Sequence, residues 1–178
     1  MLQWLQRRQY EGKNVVPVAI NISPDHFYHP NFIENIMQLV ERYYADPKLI
    51  TIEITESIGL VDLQKAREIL RKLANIGFKT SIDDFGIGYS SLSYLHKLNV
   101  SELKIDRSFT MKLNQIGTKA IVKSIIDIAK QLHLNVVTEG VETQQQEQLL
   151  KELGCYAVQG YYYYKPLSIE ELEQGGII

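Results

Sequence analysis

Phe78-Lys79-Thr80-Ser81-Ile82-Asp83-Asp84-Phe85-Gly86 is the stretch on which the reading of this chain turns. It reads as a strand: apolar and β-branched residues in a short run, closed by glycines at positions 77 and 86. The segment before it, 62–76, puts Leu63, Ala66, Ile69, Leu70 and Leu73 on one helical face. Asp62 stands where an N-cap belongs, and Gly77 where a helix ends in a left-handed residue. A capped amphipathic helix running into a strand that ends in two aspartates is half of a crossover unit with polar groups at the strand's exit.

Working outward, the same unit recurs. Strands are predicted at 15–23, 50–56, 78–85, 102–108, 135–141 and 156–163. A helix over 118–132 presents Ile121, Val122, Ile125, Ile126, Ala129 and Leu132; another over 144–153 ends in Gly154; Ser168 opens a last one, with Glu171 completing a capping box. Successive strand–helix units imply parallel strands with helical crossovers. No Gly-x-Gly-x-x-Gly follows any strand, which disfavours a doubly wound dinucleotide-binding sheet. The expectation is therefore an α/β fold, a TIM-like (β/α) barrel. Such barrels take about 250 residues, so this one is incomplete, with about six of eight strand–helix units. Segment 2–11 reads as a helix whose strand is missing, and no linker divides residues 1–178 into two domains.

Composition excludes more than it identifies. The chain has 178 residues, 45% hydrophobic and 22% charged, enough for one real core. A net charge of −2 offers no field for nucleic acid or an anionic membrane, so neither DNA nor membrane is expected as a partner. No run approaches the roughly 20 apolar residues of a membrane span, and residues 1–8 do not resemble a signal peptide. Cys155, the single cysteine, rules out an intrachain disulfide; it reads as a buried small hydrophobe before a strand, and the cytoplasm as the simplest location.

In a parallel barrel the strands deliver chemistry at their C-terminal ends. Here those ends carry Asn21, Glu53 and Glu56, Asp83-Asp84, Lys104 and Asp106, Glu139 and Glu142, and Gln159. Period-two alternation puts Glu53 opposite Ile52 and Ile54, into the barrel, and Lys104 and Asp106 on one strand face. Singly, each has an ordinary explanation: a turn former, a helix cap, an interior ion pair. Jointly they are a rim of charge that is costly to bury unless paired or bound to metal. Carboxylates with an amide, and no cysteine or histidine cluster, suit Mg²⁺ or Mn²⁺ rather than Zn²⁺. Two adjacent aspartates can serve two neighbouring ions, the arrangement that clamps both oxygens of a phosphoryl displacement. A Mg²⁺-dependent lyase barrel with Lys104 as base remains an alternative at this level. His26 and His29 lack a third ligand nearby, and His96 and His133 read as helix-face residues.

Six motifs together carry a resemblance. Asn21-Ile22-Ser23, Glu53-Ile54-Thr55-Glu56, Asp83-Asp84-Phe85-Gly86-Ile87-Gly88-Tyr89-Ser90-Ser91, Leu103-Lys104-Ile105-Asp106, Glu139-Gly140-Val141-Glu142 and Gln159-Gly160-Tyr161 are similar, in order and spacing, to the signatures of the EAL domain family. That family hydrolyses the bacterial messenger cyclic di-GMP to a linear dinucleotide. The resemblance implies Asn21, Glu53 and Asp83 as metal ligands, Asp84 at the second metal, Lys104 positioning the catalytic water, and Glu139 as general base or second-metal partner. It implies that Glu56 steadies the loop after Asp84, which couples the site to a dimer interface. Asp106, Glu142 and Gln159 are implied to line the metal shell and the guanine side of the pocket. The four tyrosines from 161 to 164 resemble the family's aromatic last strand, as packing or as base-stacking groups.

Two departures stand out. The Glu-Ala-Leu string and its following arginine, a metal ligand and a phosphate holder in the family, do not occur; Glu68-Ile69-Leu70-Arg71 imitates them on a helix of the wrong unit. Ile87 replaces the usual threonine of the Asp-Phe-Gly-Thr-Gly loop and offers no hydroxyl. The expected partners are cyclic di-GMP, a second copy of the chain pairing open sheet edges, and a sensory domain supplied upstream. A binding or regulatory module of the same family without turnover is the alternative function.

Overall fold

A computed structural model of the chain describes residues 1–87 and 95–178. Helix α1 (Leu2–Tyr10) leads to β1 (Val18–Ile22), then α2 (Pro24–Phe27) and α3 (Phe32–Arg42). A short 3-10 turn precedes β2 (Ile50–Thr55), which is followed by α4 (Ile58–Val61) and α5 (Leu63–Ile76). Then come β3 (Lys79–Phe85), β4 (Glu102–Ile105), α6 (Arg107–Met111), α7 (Ile116–Gln131), β5 (Asn135–Thr138), α8 (Gln144–Leu153), β6 (Ala157–Val158) and α9 (Ile169–Gln174). Among the described residues the strands form one parallel sheet in the order β1-β2-β3-β4-β5-β6. Each crossover steps to the adjacent strand, the winding of a (β/α) barrel, and the sheet begins at β1 and ends at β6.

Register divides the side chains. Ile22, Ile54 and Ile82 lie in one ladder row, and Leu103 continues it, all on the face covered by helices. Ala66, Leu70 and Leu73 of α5 and Val122 and Ile126 of α7 join these strand residues in a single core cluster. Each fully buried aliphatic side chain there contributes about 1.5–3 kcal/mol. The other face looks into the barrel: Asn21, Glu53 and Ser81 share one row.

The caps form as the sequence predicts. The Asp62 carboxylate accepts the Lys65 N–H at 3.0 Å, Gly77 closes α5 at φ +112°, and α9 begins with a capping box; α8 begins with a second one, at Thr143, that the sequence reading did not single out. The ends of the molecule meet: the Trp4 indole donates to Glu173 at 3.0 Å, and Arg7 donates to both oxygens of the same carboxylate at 2.8 and 2.9 Å. Cys155 is buried just ahead of β6.

Several expectations are corrected. β4 stops at Ile105, because the Asp106 carboxylate accepts the Ser108 N–H at 2.8 Å and starts α6; Asp106 therefore does not share a strand face with Lys104. β6 is two residues long, and Tyr161, Tyr162 and Tyr163 form a turn rather than a strand. Gly160 presses against the backbone of Val141, where any side chain would collide, and the chain folds back through Tyr162 N–H to Val141 O at 2.9 Å. Ile121 is half exposed, since it lies at the margin of the α7 stripe that Val122, Ile125, Ile126 and Ala129 bury. His133 follows α7 in a left-handed conformation rather than lying on its face. Of the motif after Asp84, Gly88, Tyr89, Ser90 and Ser91 lie outside the described residues.

Candidate active site

Two consecutive strand residues normally face opposite sides of a sheet. Asp83 and Asp84 do not. Ile82 pairs with Leu103 and Phe85 with Ile105, so β3 spends three steps where β4 spends two. The extra residue is a bulge, and Asp84 absorbs it at φ +54°, a left-handed conformation that aspartate tolerates better than most residues. As a result Asp83, Asp84 and Glu139 bring carboxylate oxygens within 4.8 Å of one another. Behind the bulge, Glu56 accepts the Gly86 N–H at 3.2 Å.

Lys104 rises from β4 into the middle of the group. Its ammonium lies 2.9 Å from Glu53, 2.9 Å from Asp83 and 2.7 Å from Glu139, and all four side chains are largely buried. Burial opposes the ammonium, but the Glu139, Asp83 and Glu53 carboxylates outweigh it and hold Lys104 above its ordinary pKa. Burial raises the Glu139 carboxyl, and Asp83 and Asp84 add to the rise while Lys104 opposes it. Burial also raises Asp84, with Asp83 and Asp106 reinforcing. Two causes act together: burial raises the Glu139 and Asp84 carboxyls, and the carboxylates around Lys104 raise its ammonium against burial.

Gln159 donates to Glu139 Oε1 at 2.7 Å and orients that carboxylate. Asn21 stands beside Glu53 in register but is exposed, on the first strand of the sheet. Asp106 is buried at the N-terminus of α6, near enough to Asp84 to affect its ionisation. Glu142 lies farther out, 3.7 Å from Arg107 Nη2, in a cleft of about 360 Å³ that Glu139, Gln159, Tyr161 and Tyr164 also line. The structure thus joins Glu53, Asp83, Asp84, Lys104 and Glu139 directly, sets Asn21, Glu56 and Asp106 beside them, and extends the site through Gln159 to Glu142. Sequence reasoning missed Arg107 and Lys165, which line the same cleft. Arg107 directly follows Asp106, but its direction depends on the turn into α6. His26 and His29 join no group of potential metal ligands among the described residues.

The donor set fits a hard cation. Three carboxyl groups contact one ammonium with Asp84 beside them, and Asp83 Oδ1 is buried with an ion-pair contact to Lys104 but no hydrogen bond of good angle. Carboxylate oxygens in this number, without thiolate or imidazole, select Mg²⁺- or Mn²⁺-like ions. Asp83, Asp84 and Glu139 could together hold a metal ion, and Glu53 and Asn21 adjoin them.

The family model for the EAL domain matches residues 1–166. The chain is 39% identical over 156 residues to the bifunctional diguanylate cyclase/cyclic di-GMP phosphodiesterase MucR of Pseudomonas aeruginosa, an alignment covering 87% of this chain and 23% of MucR. The solved PaMucR phosphodiesterase in its c-di-GMP complex aligns with a TM-score of 0.88 at 37% identity, over 96% of this chain and 71% of that one. BlrP1 of Klebsiella pneumoniae, solved with manganese and cy-diGMP, aligns with a TM-score of 0.79 at 28% identity, over 90% of this chain and 41% of that one. The chain therefore spans less than a quarter of MucR.

Proposed function

The chain belongs to the EAL domain family, and on that premise we propose that it hydrolyses cyclic di-GMP to the linear dinucleotide at the Asp83–Asp84–Glu139 site. The observation that carries this reading is the Lys104 ammonium gripped by Glu53, Asp83 and Glu139 beside a bulge that turns both aspartates to one side. Asn21, Glu53, Asp83, Asp84 and Glu139 are the proposed ligands of two Mg²⁺ or Mn²⁺ ions. When bound, such ions stabilise the developing charge on phosphoryl oxygens and make water a nucleophile near neutral pH.

The remaining roles fall to side chains. Lys104, kept protonated by its carboxylates, orients the attacking water and offsets charge on the phosphoryl group. Glu139, raised by burial, takes the water's proton at Oε2, since Oε1 is engaged by Lys104 and Gln159. Glu56 holds the backbone after the aspartates, Asp106 anchors α6 beside them, and Glu142 and Gln159 receive the substrate's outer part. We read residues 1–178 as one domain, located in the cytoplasm, acting as a dimer and joined to a sensory segment in a longer protein. The single core cluster supports the first point and MucR's greater length the last.

A second reading, a non-catalytic cyclic di-GMP binding module, is favoured by the absence from these residues of the Glu-Ala-Leu string and its arginine. One experiment separates the two: incubation of the chain with cyclic di-GMP and Mg²⁺ or Mn²⁺. Linear dinucleotide that disappears with Asp84→Asn supports the enzyme; binding with no product supports the module.

A further inference from the structure

β5 ends at Thr138, so Glu139 is the first residue past the strand, where the sheet ladder no longer sets the direction of the chain. Both of its backbone groups are nevertheless engaged. Its N–H donates to the Ile105 carbonyl at 3.0 Å, and its carbonyl accepts from Thr110 Oγ1 at 2.5 Å. Among the described residues no other donor reaches that carbonyl. Thr110 lies in α6, the helix that Asp106 caps, and is fully buried. A helical threonine commonly turns its hydroxyl back to the carbonyl one turn earlier in its own helix. Here the hydroxyl crosses instead to another element, 29 residues on in the chain. A valine would fill the same buried space, so packing alone does not call for the oxygen.

What this bond holds is the peptide that follows the Glu139 side chain. The next residue, Gly140, adopts φ +69°, and a side chain there would collide with Cα and Cβ of Arg107, so α6 presses directly on the turn. The peptide joining 139 to 140 is thus fixed by that contact and by the Thr110 hydroxyl. The Glu139 N–H is fixed by Ile105, the neighbour of Lys104 on β4, and the carboxylate it aims lies 2.7 Å from the Lys104 ammonium. The remainder of the turn depends on a different group. Gln146 Oε1 accepts the N–H groups of Glu142 and Thr143 at 2.8 and 3.0 Å, and its Nε2 donates to the backbone carbonyl of Thr110 at 3.3 Å. That bridge uses the main chain at 110, so the side-chain hydroxyl acts on Glu139 alone.

We propose that Thr110 is a positioning residue for the hydrolysis: by holding the Glu139 carbonyl, its hydroxyl sets the aim of the Glu139 carboxylate toward Lys104 and the Asp83–Asp84 pair. This rests on the hydrolytic reading above and deepens it. Hydrogen bonds that orient a metal-ligating group from behind are worth about 10- to 100-fold in metal affinity or activity.

The test compares the wild-type chain with Thr110→Val, which keeps the shape and removes the donor, and with Thr110→Ser, which keeps the donor. Two quantities are read: Mn²⁺ affinity by calorimetry without substrate, and kcat and KM for cyclic di-GMP at saturating Mn²⁺. Thr110→Val should lose about 10- to 100-fold in kcat and in Mn²⁺ affinity, with KM unchanged because the Gln146 bridge stays in place. Thr110→Ser should behave as the wild type in both. A Thr110→Val chain unchanged in either kcat or Mn²⁺ affinity overturns the assignment and leaves the hydrolytic reading intact. An equal loss in Thr110→Ser does the same, since it marks packing rather than donation. A wild-type chain that binds Mn²⁺ but forms no linear dinucleotide overturns the hydrolytic reading, and the Mn²⁺ affinities of the three chains then decide the assignment by themselves. One that does not bind Mn²⁺ overturns both. Thermal melts in chelator identify a variant that fails to fold; should Thr110→Val do so, Thr110→Ala against Thr110→Ser makes the same comparison of hydroxyl absent and hydroxyl present.

Discussion

Lys104 Nζ lies 2.7 Å from Glu139 Oε1, and this contact couples the stability of the barrel to its chemistry. The ammonium contacts three buried carboxyl groups, so its removal leaves Glu53, Asp83 and Glu139 to repel one another. Lys104→Met is expected to destabilise the fold by about 3–5 kcal/mol at neutral pH, the cost of breaking a buried charge pair, and to abolish hydrolysis. Because the folded pKa is raised, the Lys104 contribution is complete below the unfolded value near 10.4 and is lost only as pH rises through the folded one. Urea unfolding should therefore show the same deficit at pH 6 and pH 9. A deficit that shrinks across that range contradicts the assignment.

Glu139 is shifted upward, so the sign is opposite to that of an ordinary ion-paired carboxylate. Its neutral form is favoured in the fold; the associated stability is present below the ordinary value of 4.5 and fades as pH rises through the folded pKa. Glu139→Gln, which mimics the neutral form, is expected to melt at or above the wild-type temperature in chelator at pH 7. It should lose about 10²- to 10⁴-fold in hydrolysis rate. Added Mn²⁺ should raise the wild-type melting temperature more than that of the variant.

The bulge predicts a split between backbone and charge at position 84. Asp84→Asn keeps a residue at ease at φ +54° and should fold like the wild type while losing Mn²⁺ affinity and activity. Asp84→Val adds a β-branched side chain in the left-handed region and should also cost about 1–2 kcal/mol in denaturant unfolding. Equal stability of the two variants would argue against a strained bulge.

The clasp between α1 and α9 is separable from the site. Trp4→Ala should destabilise by about 3–5 kcal/mol through lost burial. Glu173 is held below the ordinary carboxylate range by the Trp4 indole first and then by Arg7 and Arg8. Its stabilising effect is thus present above 4.5 and lost as pH falls. The difference in melting temperature between wild type and Glu173→Gln should be visible at pH 7 and close in acid.

What the amino-acid sequence determines alone is whatever depends on local period and cap chemistry. The strand–helix alternation, the caps at Asp62, Gly77, Gly154 and Ser168, and the inward direction of Glu53 follow from spacing, because a helix face and a strand face are set by neighbours three or two residues away. The EAL signatures were legible for the same reason, as short runs at fixed positions. The tertiary structure alone decided what depends on segments far apart in the chain. Strict alternation would separate Asp83 from Asp84; only pairing with β4 creates the bulge that joins them. Asp106 reads as strand until its carboxylate is seen capping α6, and Arg107 acquires its direction from that cap and from Gly140, over thirty residues on. Ionisation belongs to the same class: Lys104 is raised and Glu139 is raised because strands β2, β3, β4 and the end of β5 deliver their charges to one buried point, and no single segment contains that sum.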